Sequence, residues 1–156
     1  MQIILWRHAE AEDVAPTDLA RPLTQRGHQQ AAHMAAWLQA QLGDDFSRWR
    51  IMVSPALRTQ ETAKALRCAF ETVPSIAPEA SPDAVLTAAD WPNSAQPTLV
   101  VGHQPTLGMV AARLLHGEEG YVTVKKGAMW WFELRQRNGN LQTVLKAIVT
   151  PDSVSG

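Results

Sequence analysis

Arg7 and His8 directly follow the apolar segment 3–6 (IILW) and are the first residues whose types suggest chemistry. The planar guanidinium group of arginine is always charged and binds phosphate oxygens. An adjacent imidazole can attack phosphorus and hold the phosphoryl group covalently. The pair suggests phosphoryl transfer, but an isolated Arg-His pair at a strand end usually has no such role. The interpretation therefore depends on two later segments.

The first of these is residues 51–58 (IMVSPALR), a short apolar strand that leads into a helix. Ser54 is predicted to cap this helix and Pro55 to be its first residue. Arg58 then lies in the first turn. Its charge adds to the unpaired amides and the positive dipole end there, and together they favour an anion.

Residues 98–105 (TLVVGHQP) repeat the arrangement, with a buried-type strand, Gly102, His103 and a proline suited to opening the next helix. Ligands of open parallel sheets bind beyond the carboxyl ends of the strands. We therefore expect one site there, formed by Arg7, His8, Arg58 and His103.

Four short motifs can be compared with known families: Arg7-His8-Ala9, Arg21-Pro22-Leu23-Thr24 followed by Gly27, Ser54-Pro55-Ala56-Leu57-Arg58-Thr59, and Gly102-His103-Gln104-Pro105. In this order they resemble the histidine phosphatase superfamily, the phosphoglycerate mutase-like group, over roughly two thirds of the chain. The short chain and the Arg-Pro-Leu-Thr segment are most similar to the SixA-type phosphohistidine phosphatases.

The resemblance favours Arg21 as a further phosphate ligand over a surface ion pair of little value. The sequence departs from the family at Ala9, where much of the superfamily has glycine. The added methyl group is expected to narrow the approach of the backbone to phosphate. No catalytic group is lost by this change.

The expected mechanism begins with in-line attack of neutral His8 on phosphorus, which forms a phosphohistidine. Arg7, Arg58 and Arg21 hold the equatorial oxygens, and His103, if protonated, adds a fourth cationic donor. Water then releases phosphate. No metal or other cofactor is expected, because the arginines supply the charge that Mg²⁺ supplies elsewhere.

Glu79, in the segment 78–82 (PEASP), has two interpretations. Larger superfamily members bring a general acid from the corresponding part of the chain, whereas SixA-type members resemble a version without that acid. We favour an ordinary solvated carboxylate for Glu79.

Apolar periodicity predicts strands at residues 2–6, 51–53, 98–101, about 128–134 and about 143–149. Helices are predicted between the earlier strands at 24–42, 55–70 and 105–116. This alternation implies an α/β fold with three layers, in which helices flank a mostly parallel central sheet, as in phosphoglycerate mutase-like proteins. Residues 71–97, with five prolines, are predicted to form a surface excursion over the site.

We expect a single domain over residues 1–150 and a frayed tail over 151–156. The chain of 156 residues has 14 basic and 15 acidic side chains, so no overall basic field exists to hold nucleic acid. No leader-like or membrane-spanning run is present, and with one cysteine we expect a cytoplasmic protein.

Several further side chains are expected to be structural. Cys68 is interpreted as a small apolar residue on the second helix and not as a nucleophile. His28, His33 and His116 are expected at the surface, since their spacing does not suit a metal. Trp130, Trp131 and Phe132 are expected to form core and sheet cover.

The function best supported by these observations is a phosphatase for protein phosphohistidine. Two alternatives stay open: a phosphomonoesterase for a small phosphorylated metabolite, and a phosphate-binding module without turnover. A metal-dependent hydrolase is less favoured because no convincing ligand set is present. The sequence does not indicate the physiological partner or the oligomeric state.

Overall fold

The computed structural model describes residues 1–154 as strands and helices that alternate over most of the chain. The strands are β1 (Gln2–Arg7), β2 (Arg50–Val53), β3 (Glu71–Thr72), β4 (Thr98–Gly102), β5 (Met129–Arg137) and β6 (Asn140–Val149). The helices are α1 (Gln25–Leu42), α2 (Leu57–Lys64), α3 (Pro82–Ala88), α4 (Thr106–His116) and α5 (Pro151–Val154), with 3₁₀ turns at Asp18–Ala20, Gly43–Arg48 and Pro74–Ile76.

The described strands form one sheet in the order β3-β2-β4-β1-β5-β6. The neighbours from β3 to β1 pair in parallel, whereas β5 pairs antiparallel with both β1 and β6. The predicted α/β fold with a mostly parallel sheet is therefore confirmed. The carboxyl ends of β1, β2 and β4 lie side by side at one edge of the sheet.

The centre of the sheet is β1, whose residues Ile3 to Trp6 are completely buried. Successive side chains of a strand point to opposite faces. Ile3 and Leu5 accordingly pack into a core with α3 and α4, and Ile4 and Trp6 pack into a second core with α1 and α2. Two cores on two faces give the three-layer arrangement, with β1 held rigidly in the middle layer.

Helix α1 begins at the predicted place because the Thr24 hydroxyl accepts a hydrogen bond from the Gly27 amide, 2.9 Å away. Gly27 is required for packing, since a Cβ atom there would collide with the Glu10 carbonyl oxygen. The Thr24 amide also donates to that oxygen at 3.0 Å. The start of α1 therefore fixes the chain that leaves β1.

The second helix is shorter than predicted. It runs from Leu57 to Lys64, not over 55–70, and Ser54 does not cap it. Arg58 still lies in its first turn, as expected. The helix ends before Cys68, which is exposed on an irregular segment, so the interpretation of that residue as part of the second helix is wrong.

Residues 71–97 are more ordered than the sequence suggests, since they contain β3, a 3₁₀ turn and α3. The tail also differs from the expectation: Pro151–Val154 form α5, and residues 155–156 lie outside the described part. Among the described helices, none has the length and apolar character needed to cross a membrane.

Candidate active site

The carboxyl ends of β1, β2 and β4 open into a cavity of about 630 Å³. It contains all five residues selected from the sequence as catalytic or phosphate-binding, namely Arg7, His8, Arg21, Arg58 and His103. Four of these come from three strand-to-helix connections, and Arg21 comes from the loop between β1 and α1. The cavity combines two imidazoles with three guanidinium groups, which suits an anion with several oxygens.

His8 is held in the orientation that a nucleophile needs. It is 6% exposed, and its Nδ1 atom lies 2.7 Å from the Ala9 carbonyl oxygen. A carbonyl oxygen only accepts, so Nδ1 carries the proton and donates it to Ala9, which leaves the lone pair on Nε2. Burial lowers the pKa of His8 to about 4, the Ala9 hydrogen bond acts in the opposite direction, and the charges of nearby arginines lower the pKa further. His8 is thus neutral near pH 7.

Arg58 is almost completely buried and is bound by the acidic loop between β1 and α1. Its guanidinium group donates to the Asp18 carbonyl oxygen at 2.8 Å and to the Asp18 carboxylate at 3.2 Å. Desolvation acts to raise the pKa of Asp18, but the hydrogen bond and charge of Arg58 outweigh it and lower that pKa. Asp18 is therefore a carboxylate that occupies one edge of Arg58.

Arg7 and Arg21 are anchored by backbone oxygens. Arg7 donates to the Val124 carbonyl at 3.0 Å, and Arg21 donates from Nε to the Glu12 carbonyl at 2.7 Å. Arg21 also pairs with Asp18 at 3.3 Å, so it has both the ion pair and the cavity position considered from the sequence. Each anchor fixes a guanidinium group while leaving other N–H donors for a ligand.

His103 lies beside His8, with ring centroids 5.5 Å apart. It is 4% exposed, and its Nε2 atom is 2.7 Å from the Ser54 hydroxyl. Burial lowers the pKa of His103 to about 3, and the charge of Arg58 acts in the same direction. The sequence analysis left the protonation of His103 open, and in the free protein this lowered pKa favours the neutral imidazole.

Contrary to the expectation from the sequence, the methyl group of Ala9 does not narrow the cavity. It is completely buried in a small apolar cluster with Ala11, Leu23 and Ala31, and it is not part of the cavity lining. Its amide donates to the Thr62 hydroxyl on α2 at 3.1 Å. The methyl group thus packs into the interface with the helices, and the residue ties β1 to α2.

Glu79 lies at the cavity, as a general acid would, but it is exposed, as a solvated carboxylate would be. Its backbone has a φ of 69°, a left-handed conformation that is uncommon for residues other than glycine. The position thus allows both interpretations given from the sequence.

The sequence analysis missed Asp18, Ser54 as a partner of His103, and Lys126. Lys126 lines the cavity from the loop before β5. That loop is fastened to β1 because the Gly127 amide donates to the His8 carbonyl at 2.9 Å and its carbonyl accepts from the Trp6 indole at 3.0 Å. No local sequence pattern marks Lys126, since its place depends on contacts across more than a hundred residues.

The other side chains considered from the sequence lie away from this chemistry. His28, His33 and His116 are exposed on α1 and α4, as expected. Trp131 packs edge-on against Trp37 and Trp49, and Phe132 is in the core, which confirms their structural role. Within residues 1–154, no group of three or more His, Cys, Asp or Glu side chains is arranged to hold a metal ion.

Comparison with known proteins agrees with this geometry. Residues 3–80 match the model of the histidine phosphatase superfamily, branch 1. The chain belongs to this superfamily.

Within the superfamily the chain is similar to SixA. It is 32% identical to the phosphohistidine phosphatase SixA of Escherichia coli over an alignment of 127 residues that covers 76% of each protein. It is 33% identical to the SixA homologue of Haemophilus influenzae over 126 residues, or 73% of this chain and 77% of the relative. A solved structure of the protein histidine phosphatase SixA complexed with tungstate covers 97% of this chain, and this chain covers 98% of that structure, with 26% identity and a TM-score of 0.81.

Proposed function

We propose that the protein hydrolyses protein phosphohistidine through a covalent phosphohistidine on its own His8. The observation that carries this proposal is the orientation of His8, whose Nδ1 is engaged by Ala9 while its ring lines a cavity with Arg7, Arg21 and Arg58. The similarity to SixA supports the substrate class, and the tungstate complex of that protein concerns an oxyanion comparable in shape to phosphate.

In the first step the Nε2 lone pair of His8 attacks phosphorus, and the bond from phosphorus to the substrate imidazole breaks in line. The electron pair of that bond goes to the substrate ring, which carries a proton from solvent and leaves as neutral imidazole. The three arginines stabilise the charge spread over the equatorial oxygens. In the second step a water oxygen attacks the phosphorus of phospho-His8, which releases inorganic phosphate and restores the neutral ring. Because the arginines carry the charge, we propose that no metal takes part.

The direct test is rapid quench with phosphoryl-labelled substrate in the presence of a strong chelator. We expect an acid-labile, alkali-stable phosphoenzyme that turns over, and no trapped label in the His8→Ala variant. Label that remains on His8→Ala would contradict the nucleophile. Turnover that disappears in chelator and returns with a divalent ion would contradict the metal-independent mechanism.

A small phosphomonoester is the second candidate substrate, and the position of Glu79 at the cavity favours it. An alkoxide leaving group needs a positioned acid at neutral pH, whereas the phosphorus–nitrogen bond of phosphohistidine is already activated. We expect phosphohistidine peptide to be hydrolysed faster than phosphoserine peptide or sugar phosphates, with almost no effect of Glu79→Gln. A preference for sugar or serine phosphates that is lost in Glu79→Gln would identify Glu79 as the acid.

A phosphate-binding module without turnover is the remaining alternative. Stoichiometric phosphate binding with no hydrolysis of any of these substrates would support it. The free Nε2 atom of His8 argues against it, because a module that only binds anions has no need of a nucleophile held in this way.

A further inference from the structure

Ser54 is completely buried, yet its hydroxyl does not cap α2 and points instead to the second histidine. The Oγ atom of Ser54 has two described hydrogen-bond contacts. The Ala56 amide lies 3.3 Å away and is a donor, and Nε2 of His103 lies 2.7 Å away. Ser54 thus connects the strand end of β2 to the strand end of β4.

The direction of the hydrogen bond follows from these two contacts. An amide N–H only donates, so Oγ accepts from Ala56, and the hydroxyl proton has one acceptor left, Nε2 of His103. Burial already favours the neutral imidazole, which carries a single ring proton. If Nε2 accepts, that proton resides on Nδ1.

The Nδ1 atom of His103 is buried and has no hydrogen-bond partner within the protein. An N–H group left in that state is costly. Because His103 lines the cavity and its Nε2 atom is already engaged by Ser54, Nδ1 is the ring nitrogen left to donate to a phosphoryl oxygen. A neutral donor also differs from a cation: it stabilises the developing charge without needing a low pH.

We infer that Ser54 is a positioning residue, which holds His103 in the tautomer protonated on Nδ1 so that this atom donates to the transferred phosphoryl group. The inference rests on the proposed function for its catalytic consequence but not for the tautomer itself. Ser54 touches no reacting atom and acts through His103 alone.

The experiment combines the tautomer with kinetics in Ser54→Ala. Nitrogen-15 spectra of histidine-labelled protein at pH 7, free and with vanadate bound, should show His103 protonated on Nδ1 in the wild-type protein. In Ser54→Ala the Nε2–H form should appear, and kcat for phosphoramidate should fall about ten- to a hundredfold with KM nearly unchanged. Thr98→Val is the matched control, since it removes a buried hydroxyl from the opposite end of β4.

Three results would overturn the inference: an Nε2–H tautomer in the wild-type protein, an unchanged tautomer in Ser54→Ala, or equal losses of kcat in Ser54→Ala and Thr98→Val. If Ser54→Ala fails to fold, Ser54→Cys takes its place, because cysteine keeps a weak donor. This variant should retain the Nδ1–H tautomer and lose less kcat than the loss of about ten- to a hundredfold expected for Ser54→Ala. Loss of the Nδ1–H tautomer in Ser54→Cys would also count against the inference. If phosphohistidine is not hydrolysed but His103 has the expected tautomer, the proposed function is refuted. The role of Ser54 in orienting His103 is not affected by that result.

Discussion

Arg58 donates to Asp18 through two nitrogens, and this contact depends on the shape of the guanidinium group. A guanidinium group has a planar set of donors, so it can contact a carboxylate on one side and a phosphoryl group on another. A lysine at the same place carries the charge on a single ammonium group. We therefore propose that the site uses the fork geometry of Arg58 in addition to its charge.

We predict that Arg58→Lys loses most of the kcat/KM, by about a hundredfold or more if one transition-state donor is lost. The midpoint of thermal unfolding should move by only a few degrees, since the partner Asp18 is exposed and keeps its hydration. Arg50→Lys is the control, because Arg50 makes a similar forked contact with Glu71 outside the cavity. Near-normal turnover in Arg58→Lys, or an equal loss in Arg50→Lys, would contradict the assignment.

At the scale of elements, the loop before β5, residues 117–128, crosses the end of β1 and is hydrogen-bonded to it. Gly127 adopts a φ of 75°, which lets its amide reach the carbonyl oxygens of both Arg7 and His8. A Cβ atom at this position would also press on the ring of Pro151. This loop therefore sets the position of its lysines relative to His8.

Lys126 should attract the substrate, because it lines the cavity from this loop. The adjacent Lys125 does not line the cavity. We predict that Lys126→Gln raises KM for a phosphohistidine protein about two- to fivefold, the size expected for an exposed charge, with little change in kcat. The effect should shrink at high salt. Lys125→Gln should leave KM unchanged, and an equal rise in both variants would reduce the effect to general surface charge.

The elements that could be predicted from the sequence are those determined by their own residues. The continuous apolar run of β1, the start of α1 after Thr24 and the end of α4 at His116, which a glycine follows, are local signals, and each appears where expected. The start of α2 is different, because the Ser54 hydroxyl binds a histidine 49 positions away. A local capping rule has no access to that partner, and the same reason hides Asp18 and Lys126 from sequence inspection.

For the whole molecule, two buried neutral histidines make stability depend on pH. The pKa values of His8 and His103 are about 4 and about 3 in the fold, well below the ordinary value of 6.5. At a pH between the folded and the ordinary pKa values, the unfolded chain binds more protons than the folded one. Stability therefore falls as the pH decreases from about 6.5 to 4. Above pH 6.5 the two groups are neutral in both states and cause no such loss.

We therefore predict that the free energy of unfolding, measured with urea, drops more between pH 7 and pH 4.5 in the wild-type protein than in His103→Asn or His8→Asn. The difference for each histidine should be on the order of 1 kcal/mol or more. His33→Asn is the control, since His33 is exposed on α1. Parallel pH curves for the wild type and both buried-site variants would show that these histidines are not held neutral by the fold.

The pairing of β1 with β4 also has a consequence for how the protein is made. Ile3 pairs with Thr98 and Arg7 with Gly102, so the chain between the two strands must be synthesised before they can join. Closing a loop of that length carries an entropic cost, and a fold that depends on contacts so distant in sequence is expected to form slowly. While the ribosome has delivered only β1 to α3, Arg7, His8 and Arg58 already exist without His103. The nascent chain therefore lacks the complete proposed site until β4 and the following His103 have emerged.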